Sequence, residues 1–198
     1  MTPTKHLLAC LVVLATALFA GGVQAQPMRI VTLGDSNTAG FGVASQEAFP
    51  ARLEAMLRIQ GLDVRVSNAG ISGDTTAGML SRLDHAVPAG TQIVILQGGY
   101  NDLRHGSSAA AIAANVEAIL SRLRARQIRT VLCGFYNEPW DGIAKKYGAV
   151  FVPSGACYDA RHRGFDGLHM NAAGHEVVAA RLLPVVQRLA MPQRRGQG

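Results

Sequence analysis

Apolar residues fall along this chain in two kinds of run. Short, mostly apolar stretches occur at residues 28–33, 92–96, 129–133 and 149–152, with an alternating one at 63–67. Between them lie longer stretches in which apolar positions return every three or four residues. These are residues 47–60, where Leu53, Met56 and Leu57 share a side and Gly61 marks a stop, then about 75–85, 108–126 and about 141–147. A last stretch, from Ala172 to about Leu189, follows a capping residue, Asn171, and contains Pro184, which is expected to kink or divide it. The first kind of run predicts strands buried on both faces and the second predicts helices. Their alternation predicts a parallel sheet covered on both sides, since each parallel crossover travels back over one face. The expected fold is a three-layer α/β/α, flavodoxin-like domain with five parallel strands in the order 2-1-3-4-5.

The first residues are of a different kind. Lys5 and His6 precede an apolar run at 7–20, and Val23-Gln24-Ala25 places small residues at positions −3 and −1 of a signal-peptidase site. That run is shorter than the roughly 20 residues a membrane-spanning helix needs. Residues 1–25 are expected to be a secretory signal cleaved after Ala25, leaving one domain over residues 26–198 in the periplasm or outside the cell. The "LLAC" at 7–10 is not a lipoprotein box, because the apolar region follows Cys10 instead of preceding it. No second segment approaches membrane length, so no stable membrane insertion is expected after cleavage.

Charge narrows the partners further. The chain carries a formal net charge of +6, with arginines gathered at 122, 124, 126 and 129 and in the tail at 194 and 195. These read as a solvated face, and with no nucleic-acid-binding motif on an exported chain, nucleic acid is not an expected partner. Of three cysteines, Cys133 and Cys157 remain after cleavage in a compartment where disulfides persist. The sequence leaves open a bond between them or two buried thiols, and no Cys/His spacing suggests zinc.

The strand ends carry the chemistry. "GDSNTAG" at 34–40 follows the first strand, "NAGISGDTT" at 68–76 the second and "QGGYND" at 97–102 the third, while "DGLH" at 166–169 precedes the last helix. In an open parallel sheet, ligands bind at the carboxyl ends of the strands, so these loops are expected to meet. Acyl transfer needs a hydroxyl, a base, a group to orient the base, and donors for the oxyanion. Ser36 supplies the hydroxyl, His169 the base and Asp166 its orienter. The Ser36 and Gly73 backbone N–H groups and the Asn101 amide supply the donors. The nucleophile elbow G-x-S-x-G is not present, since Thr38 stands where its second glycine belongs.

In these four blocks the chain resembles the SGNH (GDSL-like) hydrolase family, in its bacterial arylesterase and lysophospholipase/thioesterase branch. The blocks occur in the family's order and span residues 34–169. The resemblance implies Ser36 as nucleophile, Ser36, Gly73 and Asn101 as oxyanion hole, and His169 with Asp166 as base and orienter, with no cofactor and no metal. It implies a small-molecule ester as substrate. Asn37 replaces the leucine of the family's named tetrapeptide, and only residues 134–148 separate the fourth and fifth strands, where many relatives carry a longer insert. A polysaccharide O-acetylesterase is the alternative enzyme, and an inactive glycan- or lipid-binding domain the alternative outside catalysis. His175 is a rival base, though it has no acidic residue at a comparable upstream spacing. Asp102 is expected to hold its loop. Phe41, Tyr100, Leu103, Phe135, Tyr136, Trp140, Leu168 and Met170 flank the four blocks and are candidates to line an acyl or aryl pocket, though for each taken singly core packing is the stronger expectation.

Overall fold

The computed structural model describes residues 26–134 and 140–191. The signal peptide expected at 1–25, the tail arginines Arg194 and Arg195, and Phe135 and Tyr136 lie outside the described residues. In chain order the elements are β1 (Met28–Gly34), α1 (Ser36–Ala39), α2 (Phe49–Ile59), β2 (Val64–Gly70), α3 (Thr76–Ser81), α4 (Leu83–Ala86) and β3 (Thr91–Leu96). They continue with α5 (Tyr100–Arg104), α6 (Ala109–Ala125), β4 (Arg129–Cys133), α7 (Trp140–Tyr147), β5 (Val150–Val152), α8 (Ser154–Cys157) and α9 (Ala172–Ala190).

The five strands form one parallel sheet in the order β2-β1-β3-β4-β5. In the inner strands β1, β3 and β4 the apolar runs are nearly continuous because alternate residues serve opposite layers, whereas the edge strand β2 buries Val64 and is otherwise more exposed. Ile30, Ile93, Ile95 and Val131 face a core shared with Leu53 and Leu57 of α2 and Val178 and Leu182 of α9. Val31, Leu33, Val94, Leu96 and Leu132 face a second core with Met79 of α3, Leu83 of α4, Ile119 and Leu123 of α6, and Ala144 of α7. The expected fold and strand order are those found.

Local differences have physical causes. The helix expected over 75–85 is two helices, α3 and α4, which meet at Arg82. The helix expected from residue 47 begins at Phe49, with Pro50 in its first turn, where a proline's missing N–H costs nothing. Pro184 does not divide α9, which runs unbroken from Ala172 to Ala190. Pro184 and Ala180, whose carbonyl loses its donor, are both solvent-exposed, so water can satisfy that oxygen. Asn171 caps α9 as expected, its side chain accepting from Gly174 N–H.

Cys133, the last residue of β4, is bonded to Cys157, the last residue of α8, with 5.9 Å between their Cα atoms. The bridge ties the end of the fourth strand to the segment that leads toward the "DGLH" loop. It closes a loop with a sequence separation of 24, for which chain-entropy arguments give about 3 kcal/mol of stabilisation. Replacing both cysteines by alanine should therefore lower the unfolding free energy by about 3 kcal/mol, partly offset or augmented by packing changes. The check is urea denaturation with and without reductant. Reductant should destabilise the wild type by a similar amount and leave the double variant unmoved, and a double variant as stable as the wild type would refute the stabilising role.

Candidate active site

Ser36 is placed by the turn from β1 into α1. Asp35 is the N-cap of α1, its Oδ1 accepting from Asn37 N–H at 3.0 Å, so Ser36 becomes the first helical residue. The N–H of a first helical residue has no acceptor within the helix. The second donor in that turn, Asn37 N–H, is occupied by Asp35, while the Ser36 N–H has no acceptor within α1. No side chain fits at position 34, where a Cβ would stand 2.1 Å from Thr38 Oγ1 and 2.7 Å from the Gln97 carbonyl. Thr38 sits there for a reason: its buried hydroxyl donates to Gln97 Oε1 at 2.7 Å, fastening α1 to the loop after β3.

The base arrives from the far end of the chain. His169 Nε2 lies 2.9 Å from Ser36 Oγ, and His169 Nδ1 lies 2.5 Å from Asp166 Oδ2. The other carboxylate oxygen, Oδ1, accepts from the backbone N–H groups of Leu168 and His169 at 3.0 and 2.9 Å. The His169 ring and these N–H groups hold the Asp166 carboxyl down at about 2. It stays ionised wherever an imidazole titrates, and a carboxylate on Nδ1 fixes the tautomer that turns a lone pair on Nε2 toward the serine hydroxyl.

The remaining expected site residues gather on the same edge. Ile71 N–H donates to the Gly34 carbonyl at 3.0 Å, joining the loop after β2 to the Ser36 turn. In that loop Gly73 takes a φ of +81°, a conformation that favours glycine, with open space where a Cβ would stand. Asn101, in the first turn of α5, donates from Nδ2 to the Asp74 carbonyl at 2.9 Å. That bond uses one of its two amide hydrogens and ties Asn101 to the residue after Gly73. Arg82 braces the same loop through Asp74 at 2.7 Å and the Ala69 carbonyl at 2.8 Å. Asp102 is structural, as expected: it is buried and accepts from Thr76 N–H and Oγ1.

His175 is excluded as the base by its surroundings. It is 1% exposed, its Nδ1 accepts from Phe49 N–H at 3.2 Å, and burial lowers its pKa to about 4. Trp140 and Met170 are buried, as core packing requires. Phe41, Leu103 and Leu168 are not core residues: they are exposed to 42%, 43% and 37%, and Ile71 and Phe165, which the sequence did not single out, join them. The pattern misleads here because loops beside a site expose apolar side chains that elsewhere would be buried. Among the described residues no group of three or more His, Cys, Asp or Glu is arranged to hold a metal.

A second carboxyl stands behind the nucleophile. Asp35 is 1% exposed and its Oδ2 has no hydrogen-bond partner. Burial pushes its pKa up to about 6, against the Asn37 N–H, the Gln97 amide and the His169 charge, which pull it down; Asp74 adds a smaller push upward.

Residues 32–177 match the GDSL-like Lipase/Acylhydrolase family. Among curated proteins the chain is similar to "Esterase TesA" of Pseudomonas aeruginosa, 33% identical over 137 residues that cover 64% of this chain and 67% of that protein. It is also similar to "Arylesterase" of Vibrio mimicus, 31% identical over 124 residues covering 62% of this chain and 61% of that protein. Among solved structures, "AlinE4, a SGNH-hydrolase family esterase" superposes with a TM-score of 0.65 at 32% identity, covering 84% of this chain and 98% of that one. A crystal structure of TesA superposes with a TM-score of 0.73 at 23% identity, covering 82% of this chain and 99% of that one, and shares the fold.

The buried Asp35 carboxyl makes stability depend on pH. Its folded pKa of about 6 lies above the ordinary 3.8, so between those values the folded state binds the extra proton. Its contribution is fully present below about pH 3.8, falls as pH rises toward 6, and is lost above that. Asp35→Asn keeps the capping oxygen and removes the charge. The variant should match wild type near pH 3.5 and exceed it by about 3 kcal/mol above pH 7, since one pKa unit corresponds to about 1.4 kcal/mol. Urea unfolding at pH 3.5, 5 and 8 measures this; a stability difference independent of pH would contradict it.

Proposed function

We propose that this chain, which belongs to the GDSL-like lipase/acylhydrolase family and is a carboxylic ester hydrolase of the SGNH type, works through an acyl-serine intermediate on Ser36 and acts on small apolar esters. The observation that carries this reading is the continuous chain from Ser36 Oγ to His169 Nε2 at 2.9 Å and from His169 Nδ1 to Asp166 at 2.5 Å.

His169 takes the Ser36 proton as Oγ attacks the ester carbonyl. The tetrahedral oxyanion is met by the Ser36 and Gly73 N–H groups and by the second hydrogen of the Asn101 amide. His169 returns the proton to the departing alcohol, and water then enters by the same route to release the acid. Fixed donors matter because they need no reorganisation when the charge appears, and a donor matched to the oxyanion strengthens in the transition state more than in the ground state. Thioesters have the same carbonyl geometry and are substrates by the same steps. The exposed Phe41, Ile71, Leu103 and Leu168 around the site favour apolar substrates over acetylated polysaccharide, whose hydroxyls would lose water against these side chains without replacement partners.

The enzyme is further read as periplasmic or secreted. The charged start and apolar run of residues 5–20 support this, as does a disulfide between Cys133 and Cys157. Intact-mass measurement of the exported protein should give a chain beginning at Gln26, and a chain retaining Met1 in the cytoplasm would refute it.

Three measurements test the chemistry. Wild type should hydrolyse p-nitrophenyl esters and be labelled by a fluorophosphonate, and Ser36→Ala should lose both while remaining folded. Asn101→Ala should lower kcat by roughly 100- to 1,000-fold, with a smaller effect on KM. Because Asn101 also bonds the Asp74 carbonyl, that variant should lose about 1 kcal/mol of stability as well. Turnover per labelled site separates the two effects: normal turnover per site in Asn101→Ala would leave Asn101 as a loop brace only.

A further inference from the structure

The oxyanion donors of the proposed mechanism are not equally well held. Ser36 is fixed by the Asp35 cap and by the packing of α1. Gly73 has no such support of its own: it is exposed, its φ is +81°, and nothing stands within 4 Å of where its Cβ would be. A glycine in open space is the freest backbone a chain can offer. A donor stabilises an oxyanion only if it is already aimed where the charge will appear, so the residues on either side must hold Gly73 in place. On one side, Ile71 N–H donates to the Gly34 carbonyl at 3.0 Å, and Asp74 N–H closes the turn on the Ile71 carbonyl at 3.1 Å. On the other side, every acceptor oxygen of Asp74 is engaged. Its Oδ1 accepts from Thr75 N–H at 2.9 Å, its carbonyl from Asn101 Nδ2 at 2.9 Å, and its Oδ2 from Arg82 Nε at 2.8 Å.

Arg82 stands where α3 ends and α4 begins, and its guanidinium reaches three places at once. Besides the Nε bond, Nη2 lies 2.7 Å from Asp74 Oδ2 and donates to the Ala69 carbonyl at 2.8 Å and the Gly34 carbonyl at 3.3 Å. Gly34 and Ala69 are at the ends of β1 and β2, so one group is fastened both to the sheet and to the loop that carries Gly73. The Arg82 and Asp74 side chains are only 19% and 10% exposed, which keeps water from competing for these bonds. A planar fork of N–H groups can serve several acceptors in this way, and a single ammonium cannot. The chain also makes room for the carboxylate. A Cβ at Gly78, within α3, would overlap Asp74 Oδ1. Gly78 does not take a left-handed backbone, and alanine is the better helix former, so space for Asp74 is what this glycine supplies.

Resting on the reading of Ser36, Gly73 and Asn101 as oxyanion donors, we propose that Arg82 is a positioning residue for them: through Asp74 it sets the Gly73 N–H and the Asn101 amide relative to Ser36. The bond from Asn101 Nδ2 to the Asp74 carbonyl then has a purpose beyond bracing, because it gives Asn101 and Gly73 one shared anchor. The tetrahedral intermediate on the way to the acyl-enzyme and the one on the way from it put negative charge on the same oxygen. The effect of Arg82 therefore falls on kcat whichever step limits, and it does not depend on the acyl chain or the alcohol.

The decisive variant is Arg82→Lys, which keeps a positive charge beside Asp74 but lacks the fork that also reaches the Ala69 and Gly34 carbonyls. Gly78→Ala is its companion, displacing the Asp74 carboxylate from the other side without altering Arg82. The measurements are kcat and KM on p-nitrophenyl acetate and butyrate, per active site titrated with a fluorophosphonate, together with the melting temperature. Each variant should lose about 10- to 100-fold in kcat per site, since a displacement of about 1 Å at a reacting centre costs up to about 100-fold and removal of a whole oxyanion donor about 100- to 1,000-fold. KM should change much less, as expected for an interaction made in the transition state, and kcat/KM should fall by the same factor on both esters. In an Asn101→Ala background the factor for Arg82→Lys should shrink, because one of the two donors it positions is already gone. Normal turnover per titrated site in either variant, whatever the melting temperature, makes Arg82 a stabilising brace only and overturns the proposal while leaving the esterase reading standing. A loss confined to KM or to one ester, or an undiminished factor beside Asn101→Ala, overturns it in the same way. A wild-type enzyme that hydrolyses neither ester and takes no label overturns the esterase reading and the positioning role with it.

Discussion

The site depends on how closely α1 lies against the ends of three neighbouring strands, β2, β1 and β3. At Gly34 and Gly70, residues paired across β1 and β2, a side chain would collide with this one short helix: a Cβ at 34 would stand 2.1 Å from Thr38 Oγ1, and one at 70 would stand 2.2 Å from Ala39 N. The Thr38 hydroxyl then reaches Gln97 beyond the end of β3 at 2.7 Å. Four residues of helix are too few to be stable alone, so α1 exists because it is packed on three strand ends and capped by Asp35. Its N-terminus therefore has one position, and Ser36 is on it. Displacing the helix by even a methyl group's width would move Oγ out of reach of a histidine 133 residues later in the chain, because that contact has no slack beyond a hydrogen bond.

Two carboxyl groups flank the Ser36–His169 contact, and their surroundings push them in opposite directions. Asp166 is partly exposed, and the His169 ring with two backbone donors holds it at about 2. Asp35 is buried with one oxygen unpartnered and rises to about 6. Only the first is a permanent anion across the neutral range, and it is the one bonded to the imidazole. Asp35 does its structural work as a cap, which needs an oxygen acceptor and not a charge. Its buried ionised form is a cost carried at neutral pH by the packing that places Ser36.

Much of this was legible in the sequence, for reasons that vary from residue to residue. The inner strands were readable because burial on both faces makes nearly continuous apolar runs, and the four blocks because each is a short local pattern at a strand end or before α9. Helices α1, α5 and α8 were not, since four or five residues hold no periodicity. The disulfide was left open because it depends on where α8 folds back against β4, a tertiary relation that spacing does not encode. For Phe41, Leu103 and Leu168 the sequence favoured core packing over a pocket wall, and their exposure reverses that order for a related reason. Apolar residues in loops carry no period that distinguishes a buried contact from the wall of an open site. Phe165 escaped notice although it adjoins Asp166, and its signal was available: a large aromatic between charged and polar neighbours in "RGFDG".

The histidines show why the spacing of acid and base was insufficient by itself. Seven residues before "DGLH" the chain reads "DARH", and His162 Nδ1 meets Asp159 Oδ2 at 2.5 Å, the same distance and the same three-residue spacing as His169 and Asp166. The two pairs part in what else they touch. Asp159 also accepts from Arg161 and from Arg181 of α9, so its carboxylate is shared among three cation-capable side chains and clamps the start of the Asp166 loop to α9. The loop is closed at that base by Asn171 N–H on the His162 carbonyl and by Gly164 N–H on the His169 carbonyl. The Asp166 carboxylate instead accepts from the His169 ring and from the backbone N–H groups of Leu168 and His169, leaving the imidazole's other nitrogen to face Ser36. An Asp-x-x-His pair is thus an anchor when arginines share its carboxylate, and an acid–base pair when the free nitrogen meets a hydroxyl.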